Sequence, residues 1–404
     1  MNRRQFIASS LATVSLGLNW KAWASPDMAA APRFLVVMLR GAYDGASLLV
    51  PHGFPYYYAS RPNIAIAEPN AANPGAALDI GQGYGLHPAV GASLHALFQI
   101  GQAALVPFSG SQDLSRSHFQ SQDVMELAQN PADKGGLDYR SGFLNRLALQ
   151  LGGRKMSGMS FTNAITPIFK GEMEIPNINL QGQVNAMADV RQTQMIEAMY
   201  QGNRIGEYVE EGIQTRQQVS EVLKKEMSDA SRGAARSNGF EKVARSIAAL
   251  MRDNPAYAIG FVDVGGWDTH VNQGAATGQL STSLANLGNG LSGFADELGA
   301  DAWRNTVVVV MSEFERTFHE NGNRGTDHGH GNTMWVLGGA ISGGKLAGRQ
   351  TDLTEATLFQ KRDMPLLNDY RSVLSHVLSR MYGLDRAQLD KVFPGSSLVD
   401  YGIV

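Results

Sequence analysis

Five stretches of the chain are apolar with almost no polar interruption: FLVVML (34–39), ALVPFS (104–109), YAIGFVDV (257–264), TVVVVM (306–311) and TMWVLGG (333–339). They are short and rich in valine. They also lack the strict alternation of a strand with one wet face, so they predict strands of a parallel sheet covered on both sides. Between them, apolar positions recur at helical spacing over roughly 205–250, 278–299 and 369–383. Strands that alternate with helices imply a layered α/β domain. The polar, glycine-containing middle of KKEMSDASRGAARSNGFEKVARSIAALM reads as a break within a helical pair rather than a domain boundary. From 130 to 200 the pattern is irregular and predicts an insertion or cap within a single domain spanning 25–404.

The first 24 residues read differently. MNRRQFIASSLATVSLGLNWKAWA places Arg3 and Arg4 ahead of an apolar stretch from Phe6 to Trp20, and Ala22, Trp23 and Ala24 form a small-residue cleavage signal. This is the pattern of a twin-arginine export signal, which implies contact with the twin-arginine translocation machinery and a periplasmic or secreted destination. The apolar stretch is too short and too often interrupted by serine, threonine and asparagine to span a bilayer, and no later segment is long enough. No stable membrane span is therefore expected after cleavage.

Composition narrows the chemistry. Removal of residues 1–24 takes away Arg3, Arg4 and Lys21 and no acid, moving the formal charge from −3 to −6. With no basic excess or basic run, nucleic acid is not an expected partner. The chain contains no cysteine. Disulfides and thiolate metal sites are excluded, and histidine, aspartate and glutamate remain as ligands. Export in the folded state suits a protein that acquires a metal beforehand.

In an open parallel sheet, ligands bind beyond the carboxyl ends of the strands. After the first apolar run comes RGAYDGAS, with Arg40 and Asp44. After the second comes GSQDLSRSHFQSQD, with Asp113, Ser115, Arg116, Ser117 and His118 just ahead of a predicted helix. GGWDTHVNQG follows the third, with Asp268 and His270 two apart, and SEFERTFHENG follows the fourth, with Glu313, Glu315 and Arg316. GTDHGHGN (325–332) lies before the fifth and puts two of the chain's nine histidines, His328 and His330, two apart. In an extended backbone two such imidazoles point the same way. Taken singly, these are turn, cap and ion-pair residues. Together they gather acids and histidines at one end of the sheet. Carboxylates and imidazoles in mixed number suit zinc or manganese, and there are enough of them for two ions. The candidate ligands are Asp44, Asp268, His270, Glu313, His328 and His330. Asp327 reads either as a further ligand or as the hydrogen-bond partner of a ligating imidazole. The flanking glycines are expected to let the backbone bend close to the ion.

The segments LRGAYDGASLLVP, SGSQDLSRSHFQSQD, VDVGGWDTHVNQG, VVVVMSEFERTFHENGNRGTDHGHGN and LDKVFPG resemble the family catalogued as domain of unknown function 1501, across almost the whole chain after residue 24. That family in turn resembles the alkaline phosphatase and sulfatase superfamily. The resemblance implies a three-layer α/β/α fold with a mostly parallel sheet, alkaline-phosphatase-like, holding two metal ions at its C-terminal edge. On that resemblance Asp44 matches the first-strand aspartate, Ser115 or Ser117 stands near the nucleophile, and Asp268 with His270 resembles the aspartate and histidine of one metal. Phe314 follows Glu313 where a histidine would be expected, and the sulfatase nucleophile motif is absent. The function implied is metal-dependent hydrolysis of phosphate or sulfate esters, with Ser115 or Ser117 attacking and Arg40, Arg116 or Arg316 holding the anionic group of a small substrate. The alternative is a degenerate, non-catalytic metal- or ligand-binding protein.

Overall fold

In a computed structural model the described residues are 31–130, 136–152, 157–180, 199–200, 239–254 and 256–404. The expected export signal lies outside them, as does most of the helical stretch from 205. Each apolar run forms a strand: β1 (Arg33–Leu39), β2 (Ala103–Gly110), β4 (Tyr257–Val264), β5 (Thr306–Ser312) and β6 (Asn332–Leu337). Three further strands, β3 (Ser157–Ser160), β7 (Lys345–Leu346) and β8 (Asn368–Asp369), complete one sheet. Its order is β7-β2-β6-β5-β1-β4-β3, with β8 also paired to β2.

The continuous apolar runs follow from burial on both faces. On one side Leu35, Val37 and Leu39 of β1 join Val308 and Val310 of β5. They pack against helices α3 (Phe240–Asp253) and α4 (Gln279–Leu298) through residues such as Ile247 and Leu284. On the other, Phe34, Val36 and Met38 join Val307, Val309 and Met311. Their partners come from α1 (His118–Leu127), α2 (Phe143–Gln150), α5 (Tyr370–Tyr382) and α6 (Arg386–Val392), among them Met125, Leu144, Val373 and Leu389. Successive side chains of a strand face opposite sides, so every position of β1 is apolar or buried. Each large aliphatic side chain removed from water contributes about 1.5–3 kcal/mol. The result is a three-layer α/β/α fold with a mostly parallel sheet, as the sequence pattern implies.

Two details depart from the simplest reading. β6 runs antiparallel to both β5 and β2. A parallel return needs a helical crossover, whereas the chain between Ser312 and Asn332 forms no helix and doubles straight back over the sheet's end. The stretch that reads as an irregular insertion, 130–200, contributes α2 and the edge strand β3, which pairs parallel to β4. Among the described residues no helix is long and apolar enough to cross a membrane.

Because β1, β2, β4 and β5 point the same way and β6 opposes them, the loops after β1, β2, β4 and β5 and the loop entering β6 share one edge of the sheet. Two close approaches bind these loops together. A side chain at Gly41, whose φ is +115°, would meet the Asp268 backbone at 2.8 Å. At Gly325 it would meet the His270 carbonyl at 2.3 Å. Only glycine lets the backbones come this near.

Candidate metal centre

His118 opens α1, Asp268 and His270 follow β4, and His328 lies in the loop before β6. Their side chains converge. His118 Nε2 stands 3.6 Å from Asp268 Oδ2, and His328 Nε2 stands 3.6 Å from Asp268 Oδ1. His270 Nε2 is 2.9 Å from Asp268 Oδ1 and 3.2 Å from His328 Nε2. One ligand atom from each of His118, Asp268 and His328 lies within 4.8 Å of the others, and among the described residues this is the one such group of three.

What surrounds each imidazole fixes which nitrogen faces inward. His118 Nδ1 lies 2.8 Å from Glu313 Oε1, His270 Nδ1 lies 3.1 Å from Asp327 Oδ1, and His328 Nδ1 lies 2.9 Å from the Arg116 carbonyl oxygen. Carboxylates and carbonyls only accept, so each Nδ1 carries the hydrogen and donates it. In the neutral ring that leaves three Nε2 lone pairs directed at Asp268. His118 Nε2 is buried and makes no hydrogen bond. Lone pairs facing a carboxylate without intervening hydrogens repel one another, and a cation satisfies them all. Ligands of one zinc ion, bonded at about 2.0–2.1 Å, stand about 3.3 Å apart in a tetrahedron, and the four separations given above, 2.9 to 3.6 Å, bracket that spacing. The donor set therefore fits a divalent ion. Imidazoles anchored through the far nitrogen by a carboxylate or carbonyl are the usual setting of metal-ligating histidine.

The surrounding charges act on the members of the cluster in different directions. A hydrogen bond to Glu313 raises the pKa of His118, although burial opposes it. Burial lowers that of His328 and keeps it neutral. Burial alone would raise the Asp268 carboxyl, but the hydrogen bond and charge of Arg316 outweigh it and leave the group below its ordinary value. Glu313 is likewise held low against its burial by hydrogen bonds from His118, Gln122 and the Gly41 amide. Phe314 forms an apolar wall, its ring 5.0 Å from His118 and 5.1 Å from His328.

The structure thus brings Asp268, His270 and His328 into one cluster and leaves the other residues named from sequence around it. Glu313 orients His118 rather than joining the converging atoms. Asp44 is fully buried and bonded to Arg61, Gln273 and Ser47. His330 diverges from His328 because the chain bends at that residue, and its ring lies 5.2 Å from Phe359. Ser115 Oγ donates to Asp113 Oδ2 at 2.6 Å. Ser117 caps α1 without a side-chain hydrogen bond. Arg116 has a left-handed backbone (φ 51°) and bonds Asp363 and Gln360 through Nη2. Arg40 is engaged by Asp263, Glu126 and Gln122. Arg316 is buried and spans Asp268, the Thr326 hydroxyl and the Thr326 carbonyl. Sequence reasoning placed His118 in the right loop and gave it no role. Its position directly after Ser117, at the carboxyl end of a strand, was the available signal.

A family model described as "Protein of unknown function (DUF1501)" matches residues 31–393. No curated protein matches the sequence. Among solved structures the fold is similar to the lipoteichoic acid synthase LtaP from Listeria monocytogenes, with a TM-score of 0.42, 7% identity, and coverage of 94% of this chain and 79% of that one. It is also similar to Ps i-CgsB in complex with k-i-k-neocarrahexaose, with a TM-score of 0.39, 10% identity, and coverage of 89% and 74%. At these values the likenesses are silent about chemistry, which has to be read from the side chains.

Proposed function

The chain belongs to the DUF1501 family, and for this member we propose a divalent-metal-dependent hydrolase of phosphate or sulfate esters, exported by the twin-arginine route. The observation that carries the metal reading is the convergence of three Nε2 atoms on Asp268, with every Nδ1 committed to an acceptor. His118, Asp268 and His328 would hold a zinc or manganese ion, with His270 beside Asp268 and His328 as the further donor, and the ion would supply Lewis acidity toward an ester oxygen. The protein's own contribution is orientation. Glu313, Asp327 and the Arg116 carbonyl fix the imidazoles, Arg316 fixes Asp268, and Phe314 keeps one side apolar. Ser115 is the nucleophile of choice, because its hydroxyl already donates to the Asp113 carboxylate, which can take the proton as Oγ bonds to the phosphorus or sulfur and the ester alcohol leaves. Water would then displace Oγ, which regains its proton, and free the phosphate or sulfate.

A second reading is a metal-binding protein without turnover. It is favoured by the same hydrogen bond, since Ser115 Oγ is satisfied by Asp113 and makes none to the cluster. One experiment separates the two. The purified protein is loaded with zinc or manganese, its metal content is measured by elemental analysis, and it is assayed on aryl phosphate, phosphodiester and sulfate esters. Metal with turnover lost in Ser115→Ala supports the hydrolase, metal without turnover on any ester supports the binding protein, and no bound metal refutes both. Export is tested by replacing Arg3 and Arg4 with lysine, which should trap the full-length precursor in the cytoplasm. Unchanged periplasmic accumulation would count against it.

A further inference from the structure

The loops that carry the converging imidazoles are also joined by a second set of hydrogen-bonded polar side chains. At its centre is Gln273, fully buried within the loop that carries Asp268 and His270. Its Nε2 donates to Asp44 Oδ2 at 2.6 Å and reaches Ser47 Oγ at 3.3 Å. Its Oε1 accepts from the Thr269 hydroxyl at 2.7 Å and from the Thr326 hydroxyl at 2.9 Å. The orientation of the amide is dictated by chemistry. Asp44 only accepts, so the NH2 group must face it, and the oxygen is left to two hydroxyls that must both donate. Asp44 cannot yield, because it is locked by Arg61 and by the Ser47 amide and hydroxyl.

The two threonines are not arbitrary neighbours. Thr269 separates Asp268 from His270, and Thr326 lies two residues before His328. The Thr326 amide donates to the Thr269 carbonyl at 3.1 Å, and the Gln273 amide donates to the Arg324 carbonyl at 2.9 Å. Thr326 also accepts from Arg316 Nε at 3.2 Å, and Arg316 in turn holds Asp268. All three of Gln273, Thr269 and Thr326 are buried. The side-chain amide of Gln273 is thus where the loops bearing Asp268, His270 and His328 are joined to each other and to the loop after β1.

We propose that Gln273 is a positioning residue for the metal centre: through the Thr269 and Thr326 hydroxyls it sets the distance between the Asp268–His270 pair and His328. The proposal rests on the metal reading above and adds to it the residue that determines whether the ligands arrive pre-spaced. Buried hydrogen-bonded networks of this kind hold a single arrangement because any partial break leaves polar atoms unsatisfied. Outer partners of metal ligands commonly change affinity about 10- to 100-fold when removed.

The test uses Co2+ as the probe, because its visible absorption reports ligand number and geometry. Co2+ titrations of the full chain are compared with Gln273→Met, with the double variant Thr269→Val/Thr326→Val, and with Thr269→Ser/Thr326→Ser, each checked for fold by circular dichroism. The methionine and valine variants should lose about tenfold or more in Co2+ affinity with altered visible bands, and the serine variant, which keeps both hydroxyls, should behave like the parent. If Gln273→Met does not fold, the valine and serine pair decides alone. Folded valine variants with the parent's affinity and spectrum overturn the positioning role while leaving the metal reading intact. A parent chain that gives no Co2+ bands overturns the metal reading itself, and this inference with it.

Discussion

Asp44 and Asp268 follow neighbouring parallel strands at the same edge of the sheet, and each is bonded to a buried arginine, Arg61 and Arg316. Their surroundings are opposite in kind. Asp44 is wholly buried, and its other partners are the Ser47 amide, the Ser47 hydroxyl and the Gln273 amide, all donors that fill its lone pairs. Asp268 is 45% exposed, and beyond its arginine it faces imidazole nitrogens whose hydrogens point elsewhere. A carboxylate whose neighbours donate is structural. One whose neighbours present lone pairs is arranged as a cation site would be. Position after a strand does not separate the two roles, but the sign of the surrounding dipoles does.

The largest effect that would test this contrast is at Arg61. Arg61→Met leaves Asp44 buried without its counter-ion and should cost about 3–5 kcal/mol in urea unfolding. The pH dependence should also reverse. In the parent, burial would raise the Asp44 carboxyl, but Arg61 more than offsets this and holds it below its ordinary value. That contribution is present above about pH 4 and is lost as pH falls through the folded value. In Arg61→Met the Ser47 and Gln273 hydrogen bonds remain, but burial, the largest influence, is no longer outweighed; the folded pKa rises, and stability should fall as pH increases from about 4. Urea midpoints that rise with pH in the variant would contradict the assignment.

A smaller change is expected at the open cluster. His118→Ala should leave stability within about 1 kcal/mol of the parent. It should weaken zinc binding by more than about a hundredfold, beyond what loss of an outer partner produces. Calorimetric titration with undiminished affinity would remove His118 from the site. Glu313→Gln comes next. It keeps a hydrogen-bond acceptor for His118 but removes the charge, and zinc affinity should fall about 10- to 100-fold in the same titration. The smallest effect is at Ser117. Removing a helix N-cap hydroxyl ordinarily costs about 1 kcal/mol, but this one makes no capping hydrogen bond. Ser117→Ala should therefore stay within about 0.5 kcal/mol of the parent, and a larger loss in thermal unfolding would mean the hydroxyl has a partner in solution.

The layered fold was legible because each strand announces its own two-sided burial. Every residue of β1 and β5 is buried, and no distant partner has to be known to expect that of valine, leucine and phenylalanine. Strand direction was less legible. TMWVLGG looks like its parallel neighbours but runs the other way, since direction is set by the loop that leads into a strand and not by the strand's composition. At the site, Asp268, His270 and His328 stood out by residue type and by their place after strands. Arg61 and Gln273 attracted no attention, because each looks like an ordinary polar residue until its partners are in place.

By itself the sequence determined that the chain builds a sheet buried on both faces and that its acids and histidines collect beyond one end of it. Both are properties that residues carry individually: side-chain hydrophobicity and order along the chain. Only the tertiary structure decided which of those groups are ligand-like. His118 receives its orientation from Glu313, 195 residues away, and His328 from the Arg116 carbonyl, 212 residues away. Whether an imidazole presents a hydrogen or a lone pair depends on what its other nitrogen meets, and those meetings exist only once the loops have been folded onto the same edge.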